Sequence, residues 1–429
     1  MSSPVTPPFL AERRRRASER WQVGGDVVLV PAGDPIAIPG RDFPYPFQVH
    51  PEHRWLADSD IPGSVLAYDG AADQWELFAP RPDVDDRIWH AATPAIGRPL
   101  ADLDGWLADR ADRVVHRLGD DADGPLSRAL TELRVVKDEE ELSRMRRAAT
   151  ATSAGFDALY EAARPGVTEH ELRADIEAAF LKAGAERTAY DSIVAAGSDA
   201  AVLHFHPAHR AVEAGDWVLV DAGAEVDGYA CDVTRTFTVG PPSPIQRAVW
   251  DIVVDAQRTA VAECRPGEEY REIHTRSATR MAAGLVEIGV LRGRPEELVA
   301  AGAMALFFPH GVGHLIGLAV HDPGGYAPDR ERSSHPGLRF LRTDRVLEAG
   351  MVVTIEPGIY FIEALLADPG QRRRHGDAVD WELVDEHLHI GGVRIEDTVL
   401  VTADGGDALT EAIPKLASID VAACTSPSA

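Results

Sequence analysis

Cysteine is scarce in this sequence. Only Cys231, Cys264 and Cys424 occur in 429 residues, and no two of them have a C-x-x-C or similar spacing. An odd number of cysteines does not form a complete disulfide framework, and zinc-binding thiols usually come in closely spaced pairs. The sequence therefore argues against a disulfide-stabilised fold and against a cysteine-ligated metal. We expect all three thiols to be reduced.

Positive charge is scarce relative to negative charge. Lys and Arg total 43 and Asp and Glu total 69, which gives a formal net charge of −26. Such a balance repels the phosphates of nucleic acids and the headgroups of anionic membranes. We therefore expect neither nucleic acid nor membrane among the partners of this protein.

One stretch is long and uncharged enough to resemble a membrane span. Residues 298–320 contain no Asp, Glu, Lys or Arg, but they include Pro309, His310 and His314. Proline and histidine are unfavourable at such depths in a bilayer. Buried core beside a functional site is the better interpretation. The basic run at 13–16 is not followed by an apolar segment, so we predict no signal peptide and expect a cytoplasmic protein.

The length of the chain predicts two domains. A chain of 429 residues exceeds what one ordinary hydrophobic core supports. Short strand-like segments separated by turns give way, after residue 134, to a long helical pattern that begins KDEEELSRMRRAAT. We predict an amino-terminal α/β domain over residues 1–134 and a second domain over residues 135–429.

The segment from residue 217 to 238, WVLVDAGAEVDGYACDVTRTFT, predicts a β-hairpin that carries two aspartates. Apolar and β-branched residues fill both arms, and Asp227 with Gly228 supplies the turn. Asp221 and Asp232 lie at nearly equal distances from that turn, so their carboxylates are expected side by side. Two buried like charges are costly unless a metal ion or a shared proton lies between them. The alternative is a pair of solvated aspartates near a turn.

A second copy of this pattern follows later in the chain, which predicts two similar halves that each supply one acidic hairpin. An Arg-Pro-Gly sequence also precedes a helical pattern in each half, at residues 164–166 and 265–267. The aligned acids are Asp221 with Glu356, within EAGDWVLVDAG and EAGMVVTIEPG, and Asp232 with Glu396, within CDVT and IEDT.

Histidine and arginine accompany the acids. His310 and His314 form an H-x-x-x-H motif whose two inner glycines argue against a helix, and in an extended segment a spacing of four places both rings on one side. We expect one of them to bind metal and the other to contact substrate, although histidines are also common as structural residues. Arg394 and Glu396 share one face of a strand. We expect Arg394 to keep that carboxylate ionised, with a plain surface ion pair as the alternative.

The candidate ligands form a hard, oxygen-rich donor set. Such a set suits two divalent ions, with Mn²⁺ favoured and Co²⁺ or Zn²⁺ as alternatives. Paired ions activate water and polarise a carbonyl, which predicts hydrolysis of an amide or ester. The donor set alone does not distinguish a peptidase from a phosphatase. Its members are Asp221, Asp232, His314, Glu356 and Glu396.

These residues lie in motifs that resemble the dinuclear site of the pita-bread metallopeptidases, the superfamily of methionine aminopeptidases and proline peptidases. All five ligand positions are occupied, which disfavours a metal-free binding module built on the same fold. The resemblance implies an α/β (α+β) protein, with an amino-terminal α/β domain, a pita-bread catalytic domain with an internal pseudo-twofold repeat, and a homodimer. The matching motifs are DAG, CDVTRTF, HGVGH, TIEPGIY and VRIEDT.

Further segments resemble the bacterial Xaa-Pro dipeptidases, or prolidases, and the related organophosphorus acid anhydrolases. This resemblance implies metal-dependent hydrolysis of Xaa-Pro dipeptides by a metal-bridged hydroxide, with release of proline. The alternatives are an Xaa-Pro aminopeptidase that acts on longer peptides and hydrolysis of phosphotriesters. The segments are LHFH, HGVGHLIGLAVHD, GLRFLRT, EPGIYFIEALL, DFPYPFQVHP and the insert at 366–390.

The resemblance also implies roles for the metal ligands and the catalytic residues. Asp221 and Asp232 would bind one ion and His314 and Glu356 the other, with Asp232 and Glu396 bridging the two. Glu356 would relay the proton, and His204 and His310 would stabilise the scissile carbonyl oxygen or the leaving nitrogen.

Substrate-binding residues follow from the same resemblance. Arg342 would grip the terminal carboxylate of a dipeptide, the feature that separates a dipeptidase from an aminopeptidase. His321 would orient the peptide and Tyr190 would line the pocket. Asp42 would reach across a dimer interface towards the substrate amine, and Arg394 completes the predicted substrate-binding set.

Overall fold

The chain folds into two compact units, Met1–Arg134 and Val135–Ala429, in a computed structural model that describes residues 6–82, 84, 86–89, 96–119 and 124–420. Cys424 lies outside the described residues. Cys231 and Cys264 are both buried free thiols, which agrees with the prediction of reduced cysteines. Within the described ranges, no helix has the length and apolar character needed to cross a membrane.

The first unit contains a mixed five-stranded sheet. Val27 and Leu29 from its first strand, with Phe78 and the helical Trp106, form a small core on one face. The strands are β1 Val27–Pro31, β2 Val65–Asp69, β3 Gln74–Ala79, β4 Arg98–Pro99 and β5 Val115–Arg117, in the spatial order β4-β3-β2-β1-β5. The helices are α1 Pro8–Trp21, α2 Pro51–Ala57, α3 Asp86–Trp89, α4 Leu103–Ala108 and α5 Pro125–Arg134.

The second unit combines two long helical pairs with several short antiparallel sheets. The helices are α6 Glu139–Ala162, α7 Glu169–Lys182, α8 Pro244–Glu263, α9 Tyr270–Glu287, α10 Pro295–Ala300, α11 Glu363–Leu366, α12 Pro369–Arg374 and α13 Trp381–His387. The strands are β6 Arg187–Thr188, β7 Ile193–Ala196, β8 Trp217–Asp221, β9 Ala224–Val226, β10 Tyr229–Ala230, β11 Thr234–Val239, β12 Val352–Ile355, β13 Gly358–Tyr360, β14 Gly392–Arg394, β15 Asp397–Thr402, β16 Gly405–Ala408 and β17 Ser418–Ile419.

The helical pairs begin where the sequence supplies caps. The Thr168 hydroxyl oxygen accepts a hydrogen bond from the Glu171 backbone N–H, and the Glu171 carboxylate accepts one from the Thr168 backbone N–H, so α7 begins with a capping box. Ser243 and Gln246 form the same device at the start of α8. Helix α6 packs against α7 and α8 packs against α9, which gives each half of the unit one helical pair.

The predicted hairpin is present, but it is interrupted at the two aspartates. Strand β8 pairs with β11 in antiparallel register, with Asp221 opposite Thr234, and β9 continues into β10 through a turn at Asp227 and Gly228. Both turn residues have positive φ, as a two-residue hairpin turn requires. The arms approach so closely at the interruption that a Cβ on Gly223 would lie 1.8 Å from the Cys231 carbonyl oxygen.

The second half repeats this arrangement with β12 and β15. These strands are antiparallel, with Ile355 opposite Asp397, so Glu356 and Glu396 both lie just beyond the paired residues. The order β17-β11-β8-β7 in one sheet and β12-β15-β16 in the other places an acidic strand end in each half.

The end of the chain contains more helix than the sequence predicts. Strand and loop are expected up to residue 403, whereas α10, α11, α12 and α13 all lie in that region. The last three occupy most of the insert at 366–390 and its entry. Each has at most seven residues, so no helical periodicity accumulates, and Asp368 and Asp380 cap two of them locally.

Gly155 in α6 provides a test of the helical pairing. A Cβ added there would lie 2.1 Å from Cε1 of Phe180 in α7, and both residues are buried. We predict that Gly155→Ala lowers the free energy of unfolding by about 1–3 kcal/mol, because overpacking outweighs the gain in helix propensity. The matched control is Gly105→Ala in α4, where an added Cβ meets nothing within 4 Å. This substitution should raise the free energy of unfolding by up to about 1 kcal/mol. Urea unfolding followed by circular dichroism measures both, and a Gly155→Ala protein as stable as the parent would contradict this packing.

Candidate metal centre and pocket

Asp221 and Asp232 come together where the hairpin is interrupted. The Tyr190 hydroxyl lies 2.6 Å from Oδ1 of each aspartate. One hydroxyl hydrogen cannot be donated fully to both oxygens, so the carboxylates compete for it. Burial and the neighbouring Asp221 raise the pKa of Asp232 well above its usual range. The predicted pair of adjacent carboxylates is therefore present, and it carries the expected excess of negative charge.

Glu356 and Glu396 join these aspartates from the second half. The Glu396 backbone N–H donates to the Thr234 carbonyl oxygen at 3.0 Å, and the Thr234 hydroxyl donates to Glu396 Oε2 at 2.6 Å. Burial raises the pKa of both Glu356 and Glu396 well above the usual value, and repulsion adds to it, from Glu396 on Glu356 and from Asp232 and Asp221 on Glu396. All four predicted carboxylates thus share one buried region.

The His310–His314 segment is extended, as its glycines predict. It runs beside β12, where the Glu356 N–H donates to the Val312 carbonyl oxygen at 2.8 Å and the Thr354 N–H donates to the His314 carbonyl oxygen at 2.8 Å. A Cβ on Gly313 would lie 2.1 Å from the Thr354 carbonyl oxygen, so glycine permits this close approach.

His314 presents a free nitrogen lone pair to the acids. Its Nδ1 lies 3.0 Å from the Leu315 carbonyl oxygen, so Nδ1 carries the hydrogen and Nε2 is an acceptor. Nε2 is 3.4 Å from Asp232 Oδ2 and 3.9 Å from Glu356 Oε1. Burial lowers the pKa of His314 to about 4, which keeps the ring neutral as a metal ligand requires.

The donor set fits a divalent cation. Among the described residues, one ligand atom each from Asp232, His314 and Glu396 lie within 4.8 Å of one another, and all three residues are buried. Burial first and the neighbouring acids second raise the carboxyl pKa values of Asp232, Glu356 and Glu396. A cation would relieve this repulsion, so the residues present fit a bound metal.

Arg394 is committed to the acids rather than exposed to solvent. The sequence predicts Glu396 as its partner, but Nη2 donates to Asp221 Oδ2 at 2.6 Å. The guanidinium also donates to the Thr234 and Tyr360 hydroxyls, at 3.0 and 2.9 Å. Strand β8, which ends at Asp221, lies against β14 and so brings Asp221 within reach of Arg394, while Glu396 already accepts from Thr234.

His310 has partners on both ring nitrogens. Nδ1 lies 2.8 Å from the Gly311 carbonyl oxygen, and Nε2 lies 2.9 Å from the Tyr360 hydroxyl. Tyr360 accepts from Arg394 and so donates its own hydrogen to His310. Burial lowers the pKa of His310 to about 3, so the ring is neutral.

A pocket of about 610 Å³ opens over this cluster. It is lined by all five predicted metal ligands and by every predicted catalytic or substrate-binding residue of the second unit. The His321 ring contacts the His314 ring, with centroids 4.4 Å apart. The lining residues predicted from sequence are Tyr190, His204, Asp221, Asp232, His310, His314, His321, Arg342, Glu356, Arg394 and Glu396.

Comparison with known proteins identifies the family. The model of metallopeptidase family M24 matches residues 143–403, and that of the aminopeptidase P N-terminal domain matches residues 10–99. A probable Xaa-Pro aminopeptidase of Botryotinia fuckeliana is 33% identical over 418 residues, which cover 90% of each chain. The chain belongs to metallopeptidase family M24.

Solved structures of the family agree along the whole chain. The aminopeptidase PepP of Pseudomonas aeruginosa has a TM-score of 0.82 at 30% identity and covers 99% of this chain and 98% of its own. Proline aminopeptidase P II of Yersinia pestis has a TM-score of 0.80 at 30% identity and covers 96% and 97%. The predicted fold class, an α/β amino-terminal domain followed by a pita-bread catalytic domain, is confirmed.

The predicted subtype finds less support than the predicted family. The prolidase-like segments favour a dipeptidase, whereas these relatives carry the name Xaa-Pro aminopeptidase. The aminopeptidase interpretation, given above as the alternative, fits the M24 relatives better. Sequence motifs near Arg342 did not separate the two subtypes, because both require recognition of a peptide beside the same metal-binding acids.

Asp42 is the predicted site residue that the pocket does not contain. It is exposed in the loop between β1 and α2 of the first unit, while every residue that lines the pocket belongs to the second unit. Its expected role towards the substrate amine stays a prediction.

Sequence reasoning missed the hydroxyls that orient the acids. Thr234 and Tyr360 hold Glu396, Arg394 and His310, but each occupies an apolar strand pattern that predicts core. The internal repeat could have indicated the role of Thr234, because both CDVT and IEDT have a threonine two residues after the aligned acid.

Asp232→Asn tests the metal centre of this M24 protein. Without metal the variant should be at least as stable as the parent, because a buried like charge is removed. Adding Mn²⁺ at about 100 times its Kd should stabilise the parent by about 2.7 kcal/mol, and the variant far less. The measurement is thermal unfolding with and without Mn²⁺. The control is Asp227→Asn at the hairpin turn, which should keep the full stabilisation by Mn²⁺. An equal stabilisation of Asp232→Asn by Mn²⁺ would remove Asp232 from the ligand set.

Thr234→Val tests the role of the orienting hydroxyl. Loss of the bonds to Glu396 and Arg394 should weaken metal binding by about 10-fold or more, as is typical when a group that orients a ligand is removed. Thr238→Val, on the same strand and equally buried, bonds only to the Gly240 and Ala417 carbonyl oxygens and is the matched control. Isothermal titration of Mn²⁺ into metal-stripped protein gives both affinities. An equal loss of Mn²⁺ affinity in the two variants would indicate a general effect of strand packing.

Proposed function

We propose that this protein is an Xaa-Pro aminopeptidase, which releases the amino-terminal residue from peptides that have proline second and continue beyond it. The observation that carries the proposal is the buried cluster of four carboxylates and His314 beneath a pocket of about 610 Å³. Relatives named Xaa-Pro aminopeptidase, similar over at least 90% of the chain, support the same activity.

The proposed metal ligands are the five residues predicted from sequence. Asp221, Asp232, His314, Glu356 and Glu396 would hold two divalent ions, and their oxygen-rich character favours Mn²⁺ over Co²⁺ or Zn²⁺. Such ions, when bound, polarise a carbonyl and make water a competent nucleophile at neutral pH.

Proton transfer is assigned to Glu356. Burial and the repulsion of Glu396 raise the pKa of its carboxyl well above the usual value, and its Oε2 lies 3.7 Å from His310 Nδ1. His310 is neutral, and Tyr360 and Arg394 fix its ring. To donate to a substrate oxygen or leaving nitrogen, His310 would exchange one of these bonds.

Recognition of the peptide is assigned to the upper pocket. His204 is exposed at its rim, and His321 lies beside His314. Proline at the second position gives a scissile amide without an N–H, so the pocket must fix that bond through groups on either side of it. The homodimer and a contribution of Asp42 to amine binding remain predictions from the family resemblance.

Dipeptide hydrolysis is the second candidate, and Arg342 is the residue that motivates it. Its guanidinium lines the pocket and has no carboxylate partner among the described residues, so it is available for a substrate carboxylate. A tripeptide offers a carboxylate as well, one residue further from the scissile bond. Arg342 is therefore compatible with both lengths of substrate.

Cleavage of Ala-Pro-Ala compared with Ala-Pro distinguishes the two candidates. Metal-stripped protein should be inactive, and Mn²⁺ should restore release of alanine from the tripeptide at a kcat/KM at least about 10-fold above that for the dipeptide, about 1.4 kcal/mol in the activation free energy. Chromatography of the products measures both rates, with Ala-Ala-Ala as the control for the proline requirement.

A reversed preference would make the protein a dipeptidase. Cleavage of neither peptide, with metal shown by titration to be bound, would overturn the proposed activity and leave phosphotriester hydrolysis to be examined.

A further inference from the structure

Two arginines in the pocket wall have no acidic partner. Arg332 and Arg342 both line the pocket, and within the described part of the chain neither guanidinium forms an ion pair. The neighbouring Arg330 differs, since it pairs with Glu269 at 2.6 Å and with Asp344 at 2.8 Å. In a chain with 69 acidic and 43 basic residues, arginines without a carboxylate partner stand out.

Both arginines belong to the segment 322–343. Backbone hydrogen bonds between the two ends of this segment bring them to one wall of the pocket. The Asp344 N–H donates to the Gly325 carbonyl oxygen at 2.8 Å, and the Ala327 N–H donates to the Asp344 carbonyl oxygen at 3.1 Å. A Cβ on Gly325 would lie 2.2 Å from the Arg342 carbonyl oxygen, so the two strands of this loop are in close contact. Tyr326, the next residue, is paired with Asp344, two residues after Arg342.

Tyr326 in turn holds Arg332. The guanidinium carbon of Arg332 lies 5.1 Å from the centre of the Tyr326 ring, and the Tyr326 hydroxyl donates to the Leu341 carbonyl oxygen at 3.0 Å. One Arg332 nitrogen also reaches that carbonyl oxygen at 3.4 Å. Stacking on the ring fixes the orientation of the guanidinium plane, so its remaining N–H groups are positioned to donate to a planar anion such as a carboxylate.

The charge of the chain explains the use of a basic wall. Bound divalent cations would compensate the four carboxylates at the floor of the pocket, but the chain as a whole is strongly acidic. A peptide carboxylate entering this field is repelled unless positive groups near its final position compensate. Arg332 and Arg342 supply that compensation on one wall, with fork-shaped donors that match a carboxylate.

We propose that Arg332 is a specificity-determining residue, which binds together with Arg342 the free carboxylate of a short peptide, so that Xaa-Pro-Xaa tripeptides are preferred substrates. This inference rests on the proposed aminopeptidase function, because that activity requires at least one residue after proline. The shortest such substrate carries its carboxylate on the residue that follows proline. The same chemistry is available from an acidic side chain at that position, and the test separates the two sources.

The test compares peptides that differ only in the carboxylate. The Mn²⁺-loaded protein and its Arg332→Ala and Arg332→Lys variants are assayed with Ala-Pro-Ala, Ala-Pro-Ala amide and Ala-Pro-Glu amide. Arg332→Ala should raise KM for Ala-Pro-Ala by about 10-fold while kcat changes less than about two-fold. The reason is that the lost charge-assisted hydrogen bond is made equally to the bound substrate and to the transition state. KM for the amide should stay the same, and Arg332→Lys should recover part of the loss.

Arg339→Ala is the matched control. Arg339 belongs to the same segment and is exposed, but its guanidinium stacks on Phe340 and does not line the pocket. This variant should keep the preference of the parent for the acid over the amide. Equal increases in KM for acid and amide in Arg332→Ala would overturn the proposal, as would a parent protein that does not distinguish the two peptides. A preference for Ala-Pro-Glu amide over Ala-Pro-Ala would assign the wall to an acidic side chain and overturn the tripeptide assignment.

Binding of the product peptide separates this inference from the proposed activity. Titration of Pro-Ala and Pro-Ala amide into the Mn²⁺-loaded protein requires no turnover. The parent should bind the acid about 10-fold more tightly than the amide, and Arg332→Ala should abolish that difference. If no Xaa-Pro peptide is cleaved but this difference is observed, the activity is refuted and the carboxylate site stands. If cleavage occurs and the difference is absent, the carboxylate site is refuted.

Discussion

Buried negative charge is the constraint on which the second unit depends. Asp221, Asp232, Glu356 and Glu396 converge beside a neutral His314, and burial raises the pKa of three of these carboxyls well above the usual range. Carboxylates cannot be concentrated in this way unless positive charge compensates them. Arg394 supplies part of that charge, and the rest is left for bound cations. The fold therefore holds together a set of groups that repel one another until metal binds.

The two halves hold these acids by exchanging hydrogen bonds. Thr234 of the first half donates to Glu396 of the second, while Thr398 of the second accepts from and donates to the backbone of Asp232. Arg394 completes the exchange through its bond to Asp221. Each half therefore orients the ligands of the other. The internal repeat therefore has a structural consequence, because the candidate metal ligands come together only where its two copies meet.

Patterns that are local and repeated were predictable. The Asp227-Gly228 turn, the capping box at Thr168 and the alignment of two acidic strand ends depend on neighbouring residues, and the structure contains them all. Contacts between segments distant in sequence were harder to predict from the sequence. Arg394 pairs with Asp221 across 173 positions instead of with Glu396 two residues away, because strand neighbours decide which acid its guanidinium reaches. The short helices after Leu366 were missed, since six or seven residues give too little periodicity.

The sequence alone determined the family-level chemistry of this protein: five candidate metal ligands, two acidic hairpins and an extended histidine segment follow from residue type and spacing. These properties are encoded locally, by turns, alternation and glycine. Tertiary structure decided which groups orient those ligands and which pocket arginines form no ion pair among the described residues. Tyr360 joins Arg394 to His310, and Tyr326 joins Arg332 to the wall that carries Arg342. Such relations depend on how strands and loops pack across long separations, and no single segment of the chain specifies them.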